Sequence, residues 1–170
     1  SRWTPDVLRT EYLPLFSLIH FAACAPATGR AMEIAMSSQR EIRLNAFDMN
    51  CVGHQSPGLW AHPRDRSWQY KDLEYWVDLA RLLERGKFDG LFIADVLGIY
   101  DVLNGSGDAA ICQATQVPVN DPLALITPMA LVTEHLGFGL TASLSFEHPY
   151  PFARRLSTLD HLTKGRVGWN

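Results

Sequence analysis

The sequence has no long hydrophobic run, no basic block and few cysteines, and each absence excludes a class of protein. Its fifteen basic and eighteen acidic residues give a net charge of -3 and are spread along the chain, so the electrostatic footprint of a nucleic-acid-binding protein is missing. Cys24, Cys51 and Cys112 are an odd number at wide spacing, which predicts neither a disulfide framework nor a zinc site. This cysteine usage fits a reducing cytoplasm, which is the location that we expect.

The first part of the chain gives little sign of belonging to the fold. Its apolar stretch at residues 13–25 resembles a secretory signal peptide only loosely, because Asp6 and Glu11 spoil the basic flank. The stretch is also well short of the ~20 residues that a membrane span requires. A regular pattern begins only after Met36, so we expect residues 1–35 to be an extension outside the fold and no part of the chain to enter a membrane.

After this extension, strand and helix patterns alternate along the chain. The clearest helix carries Leu73, Trp76 and Ala80 at the 3.6-residue period and is followed by Gly86 as its stop signal. The continuous apolar run FDGLFIAD is typical of a strand that is covered on both faces. The predicted strands are 42–51, 88–95, 138–146 and 166–170, and the predicted helices are 72–85, 121–135 and 149–163, with Gly137 ending the second helix. Between them, residues 52–68 and 96–120 are predicted to be long loops.

This alternation predicts a parallel sheet with helices outside it, because crossover connections between parallel strands are right-handed. A (β/α)8 barrel and a doubly wound sheet both fit. The chain has no GxGxxG after its first strand and no GxxxxGK[ST] motif, which weakens the nucleotide-binding doubly wound folds and favours the barrel. Barrels need ~250 residues, so we expect residues 36–170 to supply three βα units and the start of a fourth strand of a longer protein.

Several polar residues follow predicted strands and are candidates for a site. Asp95 ends the apolar run, at the strand end where α/β folds bind ligands, although a loop Asp that caps a turn would look the same. Cys51 and His54 follow the first strand closely enough to share a site. A metal-dependent barrel hydrolase that uses Asp95, His54 and His135 is a rival possibility, but no second pair with metal-ligand spacing accompanies Cys51 and His54.

Four longer segments resemble the bacterial-luciferase-like flavin monooxygenases. They are NAFDMNCVGHQSPGLWAHP, LLERGKFDGLFIADVLGIYDV, QVPVNDPLALI and EHPYPFARRLSTLDHLTKGRVGWN, and the resemblance covers residues 41–170. It is strongest to the branch that contains nitrilotriacetate monooxygenase component A, dibenzothiophene-sulfone monooxygenase and long-chain alkane monooxygenase. The resemblance implies a TIM-type barrel that takes FMNH2 from a separate NAD(P)H-dependent flavin reductase and uses O2 to oxygenate a long-chain alkane, a sulfone or an aminopolycarboxylate. It also implies a homo-oligomer for the full-length protein.

The same resemblance implies roles for particular residues. Asp95, Thr141 and Ser143 are expected to contact the flavin, and Asn170, at the tip of the fourth strand, is expected to contribute. On the substrate side the expected catalytic residues are Cys51, His54, Tyr100 and Gln116. From the residues alone, Thr141 and Ser143 favour ordinary packing inside a barrel layer, and Tyr100 is also compatible with an ordinary packing aromatic. An inactive barrel fragment is a further alternative, because most of the barrel lies outside the resemblance.

Overall fold

The computed structural model describes residues 42–52 and 58–170. Within these ranges, strands and helices alternate. The strands are β1 (Asn45–Met49), β2 (Gly90–Ala94), β3 (Gly137–Leu140) and β4 (Val167–Trp169), and the α-helices are α1 (Leu73–Arg85), α2 (Asp108–Cys112), α3 (Leu123–Leu131) and α4 (Pro149–Thr163). Short 3-10 helices at Leu59–Ala61, Ser67–Gln69 and Leu103–Gly105 lie in the loops. No helix in the described ranges is both long and apolar enough to cross a membrane.

The strands form a parallel sheet in which their order in space is their order in the chain, β1-β2-β3-β4. Asn45 pairs with Gly90, and Gly90 pairs with Gly137, so the first three strands begin level with one another. The predicted parallel sheet with intervening helices is therefore confirmed. Because the strands all run the same way, their carboxyl ends share one edge of the sheet, and the loops after them gather there.

All four strands are shorter than predicted, and the largest error concerns the third. It was expected over residues 138–146, but β3 ends at Leu140. Beyond it the chain turns, and the Phe146 N–H donates to the Ser143 carbonyl at 3.2 Å. Thr141 and Ser143 therefore lie in a loop after β3 and not within the strand.

Helices α1 and α4 confirm the prediction almost residue for residue. Helix α4 ends with Lys164 and Gly165 at φ angles of 57° and 81°, and the Gly165 N–H donates to the Asp160 carbonyl at 2.8 Å. This left-handed ending is the one that glycine favours. The long connection predicted over 96–120 also contains the short helix α2, whose five residues are too few to reveal a helical period.

Helix α3 also differs from the prediction, since it ends at Leu131 and not near His135, and Gly137 begins β3 instead of stopping the helix. Pro128 lies within α3 without ending it. The turn that follows α3 is held by side chains from distant parts of the chain. Arg166 donates through Nη2 to the carbonyls of Ala130 and Thr133 at 2.9 and 3.1 Å.

On the other side of the same turn, Glu84 of α1 accepts hydrogen bonds from three successive backbone N–H groups. These belong to Glu134, His135 and Leu136, at 2.9, 3.0 and 2.8 Å. Burial alone would raise the pKa of the Glu84 carboxyl, but the three N–H donors and the nearby His135 outweigh it and lower the pKa below its usual value. The ionised carboxylate therefore holds the α3–β3 turn in place.

This arrangement predicts an acid-sensitive contribution to stability. A carboxyl whose folded pKa is depressed stabilises the fold above its unfolded pKa, here the usual 4.5, and the contribution is lost as pH falls through the lower folded pKa. We expect Glu84→Gln to cost about 1 kcal/mol at pH 7, at the low end for a charged hydrogen bond because the side chain is partly exposed. Urea unfolding measured from pH 7 down to pH 3 should show the two proteins converging below about pH 4.5. Curves that remain parallel would contradict the assignment.

The hydrophobic core lies between one face of the sheet and helices α1, α3 and α4. On this face, Leu91 and Ile93 of β2 and Phe138 and Leu140 of β3 are buried. The helices contribute mainly Trp76, Ala80, Leu83, Ile126, Met129, Ala130, Phe152 and Leu159. Burial of this face fixes the strands in register, because a slip by one residue would turn the apolar side chains to the other face.

The opposite face of the sheet carries two aromatic rings beside a glycine. Phe47 and Phe92 have ring centroids 5.3 Å apart. A Cβ atom at Gly139 would lie 2.9 Å from Cδ2 of Phe92, so the ring fits beside β3 only because residue 139 has no side chain. Phe47 is 51% exposed, which shows that this face is open in the described part of the chain.

Candidate functional site

A cleft of about 160 Å³ lies at the carboxyl ends of the strands. It is formed by the loops after β2 and β3 and by the start of α3, and its lining residues are Asp95, Leu97, Val119, Asn120, Asp121, Leu123, Thr141, Ala142, Ser143 and Glu147. Three of the residues predicted to bind a cofactor, Asp95, Thr141 and Ser143, are thus brought together. Pockets for drug-sized ligands usually measure ~300–1,000 Å³, so the cleft by itself is smaller than such a pocket.

Asp95 is the first residue after β2 and is half-buried at the edge of the cleft. Burial raises the pKa of its carboxyl, a hydrogen bond from the Val96 N–H opposes this effect, and the negative charge of Asp121 raises the pKa further. Asp95 consequently gains a proton more readily than an exposed aspartate does. It can accept a hydrogen bond from a ligand when ionised and donate one when protonated.

The loop after β3 is fixed from both neighbouring strands. The Thr141 N–H donates to the Ile93 carbonyl of β2 at 3.1 Å, and the Ala142 N–H donates to the Asn170 carbonyl at 3.2 Å. The indole N–H of Trp169 in β4 donates to the Ala142 carbonyl at 2.9 Å. Thr141 is therefore held at the level of the strand tips beside Asp95, whereas Ser143 is exposed further along the loop. Asn170 lies at the tip of β4, as predicted.

Cys51 is buried at 2% exposure just beyond β1. The pKa of its thiol is raised to about 11, mainly by burial and further by the negative charges of Asp48 and Asp95. The thiol is thus protonated at neutral pH, and a thiolate nucleophile is not available at this position. If Cys51 acts in the site, it does so as a neutral group.

The other predicted catalytic residues lie apart from this cleft or outside the described ranges. Gln116 has a left-handed backbone (φ 57°), and its buried Oε1 has no hydrogen-bond donor among the described residues. Tyr100 is 48% exposed in the loop after β2, and it does not line the cleft. His54 lies outside the described residues, so its predicted role stays a prediction.

The metal-hydrolase alternative finds no support in the described residues. Among them, no group of three His, Cys, Asp or Glu side chains could hold a metal ion. Asp95 follows the carboxyl end of β2, whereas His135 precedes the amino end of β3, so the two lie at opposite edges of the sheet. Four or five strand residues separate the edges by roughly 15 Å, which is too far for one metal site.

Sequence reasoning missed part of the cleft. Neither Asn120 nor Asp121 was predicted as a site residue, although both line the cleft. Asp121 does act as a cap as well, because its Oδ1 accepts a hydrogen bond from the Leu123 N–H at 2.8 Å. The sequence feature that indicates them is a pair of polar residues directly before a predicted helix, at the edge of the sheet where the strands have their carboxyl ends. Glu147 forms an ion pair with Arg155, which holds the loop after β3.

Comparison with known proteins identifies relatives of most of the chain. A family model described as luciferase-like monooxygenase matches residues 46–170. The chain is 61% identical over 131 residues to a long-chain alkane monooxygenase of Geobacillus thermodenitrificans, a match that covers 77% of this chain and 30% of the relative. It is 63% identical over 132 residues to a dimethyl-sulfide monooxygenase of Hyphomicrobium sulfonivorans, covering 78% of this chain and 28% of the relative.

Solved structures agree with the fold. A crystal structure of a long-chain alkane monooxygenase superposes with a TM-score of 0.76 at 61% identity and covers 78% of this chain and 30% of that one. A riboflavin lyase crystallised with modified FMN and riboflavin gives a TM-score of 0.71 at 33% identity, covering 77% and 29%. The described sheet and helices are therefore the N-terminal part of a (β/α)8 barrel, as predicted. The chain spans about 30% of the length of the curated relatives that it matches.

Proposed function

Because the chain belongs to the luciferase-like monooxygenase family, we propose that the complete protein is an FMN-dependent monooxygenase. A separate NAD(P)H-dependent flavin reductase supplies FMNH2, and the enzyme uses O2 to oxygenate a small organic substrate. The observation that supports this most is the 61% identity to a long-chain alkane monooxygenase across a segment that includes the tip of β2 and the loop after β3. Asp95 and Thr141 from these two places line one cleft. A cytoplasmic location and a homo-oligomeric assembly belong to the same proposal.

The polar groups of the described residues fit a flavin ring. The ring presents N–H and C=O groups along one side, and these must be paired when the ring is buried. Asp95 and the Thr141 hydroxyl line the cleft, where they can pair with such groups. When bound, the flavin supplies the redox chemistry. These side chains would orient it, and the surrounding loops would exclude water.

The charges of the cleft favour a neutral, apolar substrate over an aminopolycarboxylate. Asp95, Asp121 and Glu147 line the cleft, and no lysine or arginine does so within the described part of the chain. A polyanionic substrate would be repelled by such a surface. The loop after β2 also exposes an apolar strip composed of Val96, Leu97, Ile99, Val102 and Leu103. We therefore propose a substrate of the alkane or sulfide type.

The test uses the purified full-length protein with a flavin reductase, NADH and FMN. Alkanes of different length, dimethyl sulfide and nitrilotriacetate are offered separately, and oxygenated product is measured by gas or liquid chromatography. We expect product from an alkane or from the sulfide and none from nitrilotriacetate. Oxygenation of nitrilotriacetate alone would refute the substrate class, and the absence of both flavin binding and product would refute the proposed function.

Asp95 provides a residue-level prediction for the same protein. Replacing it by Ala should weaken FMNH2 binding by about 1–3 kcal/mol, because a buried polar partner of the ligand is left unpaired. Anaerobic titration measures the affinity, and Asp108→Ala, which changes an exposed aspartate in α2, is the matched control. An affinity equal to wild type in Asp95→Ala would remove this residue from the flavin site.

We also propose that residues 1–35 lie outside the fold and that residues 36–170 supply the first three βα units and the start of the fourth strand. These first residues precede both the family match and the described ranges. Deleting residues 1–35 from the full-length protein should leave the melting temperature unchanged within about 2 °C. A large fall in melting temperature would show that the extension packs against the barrel.

A further inference from the structure

Asn50 is a buried polar residue at the edge of the sheet where the cleft lies. It directly follows β1 and is only 3% exposed. It does not line the cleft itself but sits behind one of its walls. Buried side-chain amides are rare unless each of their polar groups is paired, so the position requires a reason.

Two hydrogen bonds of Asn50 go to one wall of the cleft. Its backbone carbonyl accepts from the Asn120 N–H at 2.9 Å, and its side-chain Nδ2 donates to the Asp121 carbonyl at 3.2 Å. Asn120 and Asp121 are themselves exposed and line the cleft. Asn50 therefore attaches this wall to the rigid end of β1, across about seventy residues of sequence.

Within the described ranges, the second polar atom of the amide has no partner. Asn50 Oδ1 is buried and finds no donor among the described residues. Exchanging the positions of Oδ1 and Nδ2 would not help, because Nδ2 donates to a carbonyl oxygen, and a carbonyl oxygen can only accept. A buried acceptor without a donor destabilises the fold, and here it offsets much of what the bond to Asp121 contributes. As a source of stability alone, this amide is a poor choice.

We infer that Asn50 is a positioning residue that holds the Asn120–Asp121 wall in the geometry that the ligand requires, and that its amide contributes to binding more than to stability. The inference rests on the proposed function, since reduced FMN is the ligand in question. The wall also carries Asp121, whose charge acts on Asp95 across the cleft. A displaced wall would therefore alter both the shape of the cleft and the charge around Asp95.

The test uses the full-length protein with Asn50→Leu, which keeps a branched shape without polar atoms, and Asn50→Ala in case leucine does not fit. In both variants the exposed Asp121 carbonyl can accept a hydrogen bond from water in place of the lost amide, and the buried Oδ1 acceptor is removed. The melting temperature should therefore stay within about 3 °C of wild type. Affinity for dithionite-reduced FMN, measured anaerobically, should fall about tenfold. Amide hydrogen exchange should accelerate at residues 120–123 and remain unchanged in the core strands.

Asn45→Ala is the matched control, because it changes an exposed asparagine at the opposite end of the same strand and should alter none of the three readouts. Affinity equal to wild type in both folded Asn50 variants would overturn the inference. So would a fall in melting temperature with exchange accelerated throughout, since that pattern marks a purely structural residue. If wild type itself binds no reduced FMN, the proposed function fails, and exchange at residues 120–123 alone then decides whether Asn50 positions the wall.

Discussion

Replacing Arg166 by Met should destabilise the protein by about 3–5 kcal/mol, because several carbonyl groups lose a charged donor at once. The guanidinium donates through Nη1 to the Leu136 carbonyl and the Thr133 hydroxyl at 2.8 and 2.9 Å, and through Nε to the Thr163 carbonyl at 3.0 Å. Together with the two bonds from Nη2 described above, every N–H of the side chain is used. Arg166 therefore joins the ends of α3 and α4 to the start of β4.

Urea unfolding of the full-length protein measures this effect, and Arg166→Lys separates charge from geometry. Lysine keeps the charge but cannot reproduce the planar fork of donors, so it should recover less than half of the loss. Arg154→Met on the exposed side of α4 is the matched control and should change stability by less than about 0.5 kcal/mol. Full recovery by lysine would show that the positive charge matters and the hydrogen-bond geometry does not.

Replacing His54 by Phe in the full-length protein should slow oxygenation of the substrate by ~10² to 10⁴, the usual contribution of a positioned acid or base. The expectation rests on the family resemblance and on position, since His54 follows β1 closely while Cys51, which precedes it, is buried at the same end of the sheet. We expect the imidazole to donate a proton to the reacting oxygen and not to hold the flavin. FMNH2 affinity should then stay close to that of wild type.

The deciding measurement is coupling, that is, product formed per NADH consumed by the partner reductase, with H2O2 release measured in parallel. His54→Phe should lower the coupling and raise the peroxide. His161→Phe, an exposed histidine of α4, is the control and should leave both unchanged. A fully coupled His54 variant at the wild-type rate would make His54 an ordinary loop residue, and the same series on Cys51 and Tyr100 would then locate the group that acts.

Much of the fold could be predicted because the strongest local signals agree with the tertiary packing. Helix α1 has an apolar stripe that the sheet buries, and α4 begins at a proline and ends just before a glycine. Helix α3 could not be delimited in this way. The turn after it is held by Glu84 and Arg166, which lie about fifty residues before and thirty residues after that turn. No local pattern in the sequence reveals such long-range hydrogen bonds.

A residue of the candidate site could be predicted where it directly follows a buried strand, because it must then lie at the edge of the sheet. Asp95 is the clearest example, because a buried apolar run followed by a carboxylate indicates both the strand and its tip. Thr141 was placed near the correct edge through the family resemblance, although the strand was drawn too long. Asn120 and Asp121 were missed as site residues because their position depends on Asn50, and the pairing of two distant loops cannot be read from either loop alone.

The raised pKa of Cys51 makes its thiol resistant to oxidation. A thiol with a pKa of about 11 is ionised only about once in ten thousand molecules at pH 7, which is about a hundredfold less than at its usual value of 9.0. Since the thiolate is the form that reacts with peroxide, this sulfur is protected from oxidation by H2O2. Cys112, which is exposed, should be the first of the described cysteines to be oxidised or alkylated.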